Sequence, residues 1–153
     1  MEVKKILWPT DFSQNAEVAL PQVKSMTEKY GAEIHVLYVI EDTAHHEPWY
    51  GVFDEEHVQK LMDHAKRKAE ERLQQICSKY LEGCPLYIRH IAVGDPAEEI
   101  LSFIDKEQVD LVIMATRGEK PSFPFGSVAE KVVKHSPVPV TTVPAPKKEE
   151  EAA

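Results

Sequence analysis

Two stretches of this chain bring together residue types able to hold a phosphate ester. Pro9-Thr10-Asp11-Phe12-Ser13 follows a short apolar run, and Gly126-Ser127 opens an apolar-periodic segment. A helix N-terminus offers unpaired amides and the positive end of the helix dipole, and a serine hydroxyl adds one more donor to an anion. Asp11 or Ser13 also suits the cap of the helix that follows, and Ser127 suits that of a later one, so a structural role stands beside the ligand role at Asp11 and Ser127. Between the two stretches, Arg117 and Lys120 would help to neutralise phosphate, whereas Glu119 opposes it. His57 and His64 are seven residues apart, too far along a helix for simple chelation, and with His45 and His46 they read as a solvated surface rather than a metal site. No GxxxxGK(S/T), HExxH or GxSxG motif occurs, and Asp11 has no second carboxylate or base placed by sequence, so a dedicated enzyme is not expected.

The elements that must position these residues alternate along the chain. Val3–Trp8, Ile34–Ile40, Leu86–Val93, Val109–Met114 and Val138–Val143 read as strands. The first four are each followed by a segment with helical apolar spacing. The first such segment is capped by Asp11 or Ser13, interrupted by Pro21 and closed by Gly31. A long helix from Asp54 puts Val58, Leu61, Met62, Ala65, Ala69, Leu73, Ile76, Cys77 and Tyr80 on one face, with Cys77 a buried thiol. Asp95-Pro96 is an N-cap followed by a first-turn proline, and Ser127 is expected to cap a short helix carrying Val128, Val132 and Val133.

Strands separated by helices run parallel with right-handed crossovers. The expected fold is therefore α/β: one doubly wound open sheet of five parallel strands with helices on both faces. Residues 1–144 form the domain and 145–153 a charged, disordered tail. The more alternating third strand suits a sheet edge or a partly exposed face, and one of Arg89 and His90 would face water. Pro139 suits the other edge, and an edge bearing Val138, Val140 and Val143 invites pairing with a second copy. In such sheets ligands bind beyond the carboxyl ends of the strands, where the strand order reverses. Pro9–Ser13, Val39–Asp42 and Ala115–Gly118 all leave such ends.

A chain of 153 residues can bury a core without disulfides or metals. Its net charge of −8 argues against an electrostatic grip on nucleic acid or anionic membrane. No apolar run approaches a membrane span or a signal peptide, which makes the expected location cytoplasmic.

KKILWPTDFS, VLYVIED, GDPAEEI, VDLVIMATRG and GSVAEKVVKHSPVPV, in this order over about residues 2–143, resemble the universal stress protein family. The resemblance implies an adenine nucleotide alpha hydrolase-like sheet, a homodimer through the last strand (Val138–Val143) and, in one branch, bound ATP. In that branch the phosphates lie in a loop Gly-x2-Gly-x9-Gly-(Ser/Thr). Here Ala115 replaces the first glycine, and seven residues rather than nine separate Gly118 from Gly126-Ser127. The resemblance places an ATP or AMP ligand against Pro9, Thr10, Asp11, Val39, Ala115, Arg117, Gly118, Gly126, Ser127 and Val128. The sequence does not specify whether Mg²⁺ would accompany the phosphates. Glu119–Phe125, with two prolines and two phenylalanines, is stiffer than a glycine-rich cradle. Two functions follow: a dimeric nucleotide-binding stress module, or a ligand-free scaffold acting through the last strand and the 41–57 loop.

Overall fold

The strand run that begins the chain lies at the centre of the sheet. The computed structural model describes residues 2–41, 55–80, 87–116 and 126–144; the remaining positions, including Arg117, Gly118, Cys84, the 42–54 segment and the 145–153 tail, lie outside the described residues. Five parallel strands, β1 (Lys5–Thr10), β2 (Glu33–Ile40), β3 (Tyr87–Val93), β4 (Leu111–Ala115) and β5 (Val140–Val143), take the order β3-β2-β1-β4-β5. Five helices connect them: α1 (Gln14–Glu17), α2 (Leu20–Tyr30), α3 (Glu55–Tyr80), α4 (Pro96–Glu107) and α5 (Ser127–His135).

Alternation along the strands divides the core. Ile6, Trp8, Ile34, Val36 and Ile113 face α2 and α3, meeting Leu20, Val23, Leu73 and Ile76. Leu7, Leu37, Val39, Val112 and Met114 face α4 and α5, meeting Ile100, Ile104, Ala129 and Val132. Because both faces are covered, the central strands are apolar along most of their length, with buried Thr10 and His35 as exceptions. Among the described residues no helix is long and apolar enough to cross a membrane.

Local signals hold where the chain itself supplies the cap. The Ser13 hydroxyl accepts from the Ala16 amide and starts α1, and Asp95 accepts from Glu98 and starts α4. Pro21, which by sequence would either kink this segment or mark a late start, sits in the first turn of α2, so the expected helix divides into α1 and a later-starting α2. Gly31 ends α2 at φ +63°, the left-handed conformation that favours glycine. Cys77 is buried, and burial pushes its thiol up to about 11 against the pull of Arg89. Three expectations are corrected. β1 continues through Pro9 to Thr10 instead of stopping at Trp8. Leu61 and Val133 are exposed, since each lies about 100° round its helix from the buried stripe, beside half-buried Met62 and buried Val132.

Edge strand β3 is fastened to β2 by a polar cluster on the α4 side. Buried His35 lies with Nδ1 3.0 Å from His90 Nε2 and Nε2 3.2 Å from Glu33 Oε2. A neutral His35 that donates to Glu33 and accepts from His90 satisfies both contacts. Phe103 of α4 meets the His90 ring edge-on at 4.6 Å. Arg89, its neighbour on β3, faces water.

Burial, then the neighbouring His35, hold the His90 pKa below its usual value, with Glu107 pulling the other way. A histidine depressed in the folded state takes up its proton more readily when unfolded. Stability is therefore retained above about pH 6.5 and lost as pH falls from there through the folded pKa. Urea unfolding at pH 7.5 and 5.0 should show that loss, and His90→Gln should make it smaller. An identical pH dependence in the variant would assign the loss to other groups.

Candidate functional site

At the switch point the β1–β4 ladder ends early for want of a donor. In a parallel ladder, alternate residues of a strand turn their amide and carbonyl toward the same neighbour. The Lys4 carbonyl accepts from Glu33 of β2 at 2.8 Å, and the Lys5 carbonyl accepts from Asp110, on the β4 side, at 2.9 Å. Counting by twos, Leu7 and Pro9 also address β4. The β1–β4 register sets Ile6 opposite Leu111 and Leu7 opposite Val112. The next amide that β1 would supply to β4 is that of position 9, and proline has none. The β1–β2 ladder, which does not need that donor, continues to Thr10 opposite Tyr38. The β1–β4 ladder thus ends at Leu7 and Val112, short of the carboxyl ends of the two strands.

The wall on the β1 side is a turn pinned at each residue. Thr10 is buried, and its Oγ1 accepts from the Phe12 amide at 3.1 Å. Exposed Asp11 accepts through Oδ1 from the Ser13 amide at 2.9 Å and from the Ser13 hydroxyl. The Ser13 oxygen accepts in turn from Ala16, so the helix cap is Ser13 while Asp11 orients that cap from in front. Phe12 takes φ +66°, a left-handed conformation costing a bulky side chain about 1–2 kcal/mol. Behind it, on the α3 side, is a shallow cavity of about 240 Å³ lined by Phe12, Glu17, Arg72, Gln75, Ile76 and Lys79. That hollow lies across the sheet from α5.

On the β4 side, Ala115 is buried in an extended strand opposite Val143. Its φ is not positive. Alternation puts it with Leu111 and Ile113 on the α2–α3 face, so the alanine at the first glycine position neither strains the backbone nor turns its methyl toward α5. Thr116, which the sequence did not single out, joins three elements. Its amide donates to the Val143 carbonyl at 3.0 Å, and its own carbonyl accepts from Gly126 at 2.6 Å. The ends of the 117–125 segment are thereby held together. Gly126, not Ser127, is the N-cap of α5, and no side chain caps it among the described residues. Ser127 is exposed at the first helical position and Val128 is half-buried, so the expected serine cap is corrected. A capping side chain must occupy extended backbone one residue before the helix, and glycine holds that position here.

Of the residues expected at the site, Pro9, Thr10 and Asp11 end β1, buried Val39 lies near the end of β2, and Ala115, Gly126, Ser127 and Val128 lie at the end of β4 and the start of α5. Arg117 and Gly118 fall outside the described residues. Chemically, the arrangement places a fixed carboxylate just after β1 and, following β4, the amides of a nine-residue helix that no side chain caps among the described residues, on the two sides of the switch point. Among the described residues no group of three or more His, Cys, Asp or Glu is placed to hold a metal ion.

Comparison with known proteins gives a consistent result. The model of the universal stress protein family matches residues 2–144. Universal stress protein MJ0577 of Methanocaldococcus jannaschii is 34% identical to this chain, the match spanning 92% of this chain and 94% of the relative. A solved structure of MJ0577 superposes with a TM-score of 0.82 and covers 94% of this chain and 97% of the other. More distant structures share the fold. A universal stress protein in complex with cAMP is 18% identical, with a TM-score of 0.61 over 95% of this chain and 99% of the other. The universal stress protein from Archaeoglobus fulgidus in complex with dAMP is 21% identical, with a TM-score of 0.63 over 93% and 98%.

Pro9→Val supplies the absent donor. The new amide at position 9 is expected to exchange slowly with solvent, as the interior amides of β1 do, because it closes the ladder onto β4. Exchange at the rate of an open loop would mean that something other than the missing donor ends the ladder.

Proposed function

The chain belongs to the universal stress protein family, and on that premise we propose that it is a dimeric stress-response module that binds ATP or another adenine nucleotide at the carboxyl end of its sheet. The observation that carries this reading is the early end of the β1–β4 ladder at the switch point of the strand order, with Asp11 fixed just after β1 and the start of α5, which no side chain caps among the described residues, following β4. The helix terminus suits a phosphate, and the carboxylate suits a hydroxyl or amino donor of the nucleoside. Two structural neighbours hold cAMP and dAMP, ligands of the same chemical class.

Dimerisation is proposed through β5, which occupies one edge of the sheet. Val143 accepts from Thr116, and Pro139 accepts from Val112, so the odd-numbered residues of this segment address β4. Val140 and Thr142 therefore turn their backbone groups outward, available to a second copy. The Val143–Thr116–Gly126 hydrogen bonds join this edge to the start of α5. Ligand binding and association thus share a short backbone connection, and binding would stabilise the folded dimer.

The decisive experiment denatures the protein as purified, identifies any released nucleotide by mass, and titrates Mg-ATP by calorimetry. Because Gly126 provides the cap, Ser127→Ala removes a hydroxyl without unseating α5. It should weaken ATP by about 1 kcal/mol, or about fivefold. An empty protein that releases no heat up to millimolar ATP would overturn the nucleotide reading and favour the scaffold.

Thr142→Pro deletes one outward donor while leaving the β4 ladder intact, a substitution that edge strands tolerate. Sedimentation should then show a shift toward monomer. Val140→Lys is a poorer probe, since Val140 also packs against the α4–α5 core. An unchanged dimer in Thr142→Pro would place the interface on another surface.

A further inference from the structure

Phe12 occupies a backbone conformation that its side chain disfavours, between the proposed ligand carboxylate and the serine that caps α1. Glycine or asparagine would adopt φ +66° more readily. What holds phenylalanine there is its ring. The ring is buried in the α2–α3 core, its centroid 4.2 Å from that of Tyr38 on β2 at a tilt of 34°. The Arg72 guanidinium, from α3, lies 4.6 Å from the ring centroid. This is the geometry in which a cation is attracted to an aromatic face. Three elements distant in sequence therefore converge on one ring.

The orientation of Asp11 depends on that ring. The Ser13 amide reaches Asp11 Oδ1 at 2.9 Å, and the Phe12 amide reaches Thr10 Oγ1 at 3.1 Å, with Phe12 in the left-handed region. Rotation of Phe12 to an extended or right-handed conformation would swing the Ser13 amide away and release the carboxylate. Overdetermination by surrounding structure is what allows such a backbone to persist.

We propose that Phe12 and Arg72 are positioning residues for nucleotide recognition: the Tyr38–Phe12–Arg72 stack presets the Asp11 carboxylate for a nucleoside donor. This inference rests on the nucleotide reading of Asp11. Arg72 acts from the α3 face, across the sheet from α5, and through Phe12 rather than through the ligand. Its own side chain is exposed, so its truncation opens no hole in the core.

The test combines ATP titration with amide hydrogen exchange of the ligand-free protein. Arg72→Ala should weaken ATP about fivefold, and Arg72→Lys, which keeps the cation, should restore most of that loss. In an Asp11→Asn background Arg72→Ala should add nothing, because the two substitutions break one device. Without ligand, Arg72→Ala and Phe12→Leu should both speed exchange at the Ser13 amide while leaving the β1 and α2 amides protected. Unchanged ATP affinity with unchanged Ser13 exchange would overturn the proposal, as would fully additive losses in the double variant. Faster Ser13 exchange in a protein whose wild type binds no ATP would instead retain the stack as the device that fixes Asp11 and reject the nucleotide reading.

Discussion

The structure is organised by the hydrogen bonding of one buried strand. Ile6, Leu7 and Trp8 of β1 are wholly excluded from water, so their backbone groups must be matched by neighbours on both sides. β2 and β4 supply those partners, which fixes β1 at the centre and the strand order around it. Proline at position 9 has no amide hydrogen, so it ends the β1–β4 ladder without burying an unpaired donor of its own. The ladder therefore stops early on the side where the strand order reverses, while the ladder to β2 runs on to Thr10.

The two ends of the sheet are treated in opposite ways. At the amino end, Asp110 accepts from the Lys4 and Lys5 amides at 2.9 and 3.0 Å, and the Lys5 ammonium donates to the Glu107 carbonyl, so β1 is tied to the start of β4. At the carboxyl end the chain leaves β1 through a turn whose polar groups are satisfied within four residues, from Thr10 to Ser13. Trp8 also donates to the Ala16 carbonyl at 3.4 Å, joining the buried strand to the short helix after that turn. The turn after β1 is thereby fixed by its own hydrogen bonds at the carboxyl end of the sheet. Ligand sites benefit from such preorganisation, because less ordering remains to be done on binding.

Much of this frame was legible in the residues. Apolar runs separated by helical periodicity gave the five strands and the layers, and the alternating pattern of β3 marked it as an edge. Gly31, Ser13 and Asp95-Pro96 announced helix ends because the residue that solves the local hydrogen-bonding problem is itself part of the boundary. The α5 boundary was misplaced by one residue. Gly-Ser presents two acceptable caps, and the carbonyl partner that fixes Gly126, Thr116, lies outside the helix. Leu61 and Val133 were misassigned to buried faces because hydrophobic type alone cannot tell the stripe from the position beside it.

The sequence by itself determined which segments become strands and helices, that the strands run parallel, and that Pro9–Ser13 and Gly126-Ser127 leave the same end of the sheet. These properties are local: periodicity records which side of each element is buried, and turn residues record where an element stops. Only the tertiary structure decided that Pro9 faces β4 rather than β2, that His35 meets His90 across 55 residues, and that Phe12 lies between Tyr38 and Arg72. Those pairings depend on strand register and on how each crossover helix seats against the sheet. A shift of one residue in register would reverse them while leaving the local burial pattern of β4, α3 or α5 within itself unchanged.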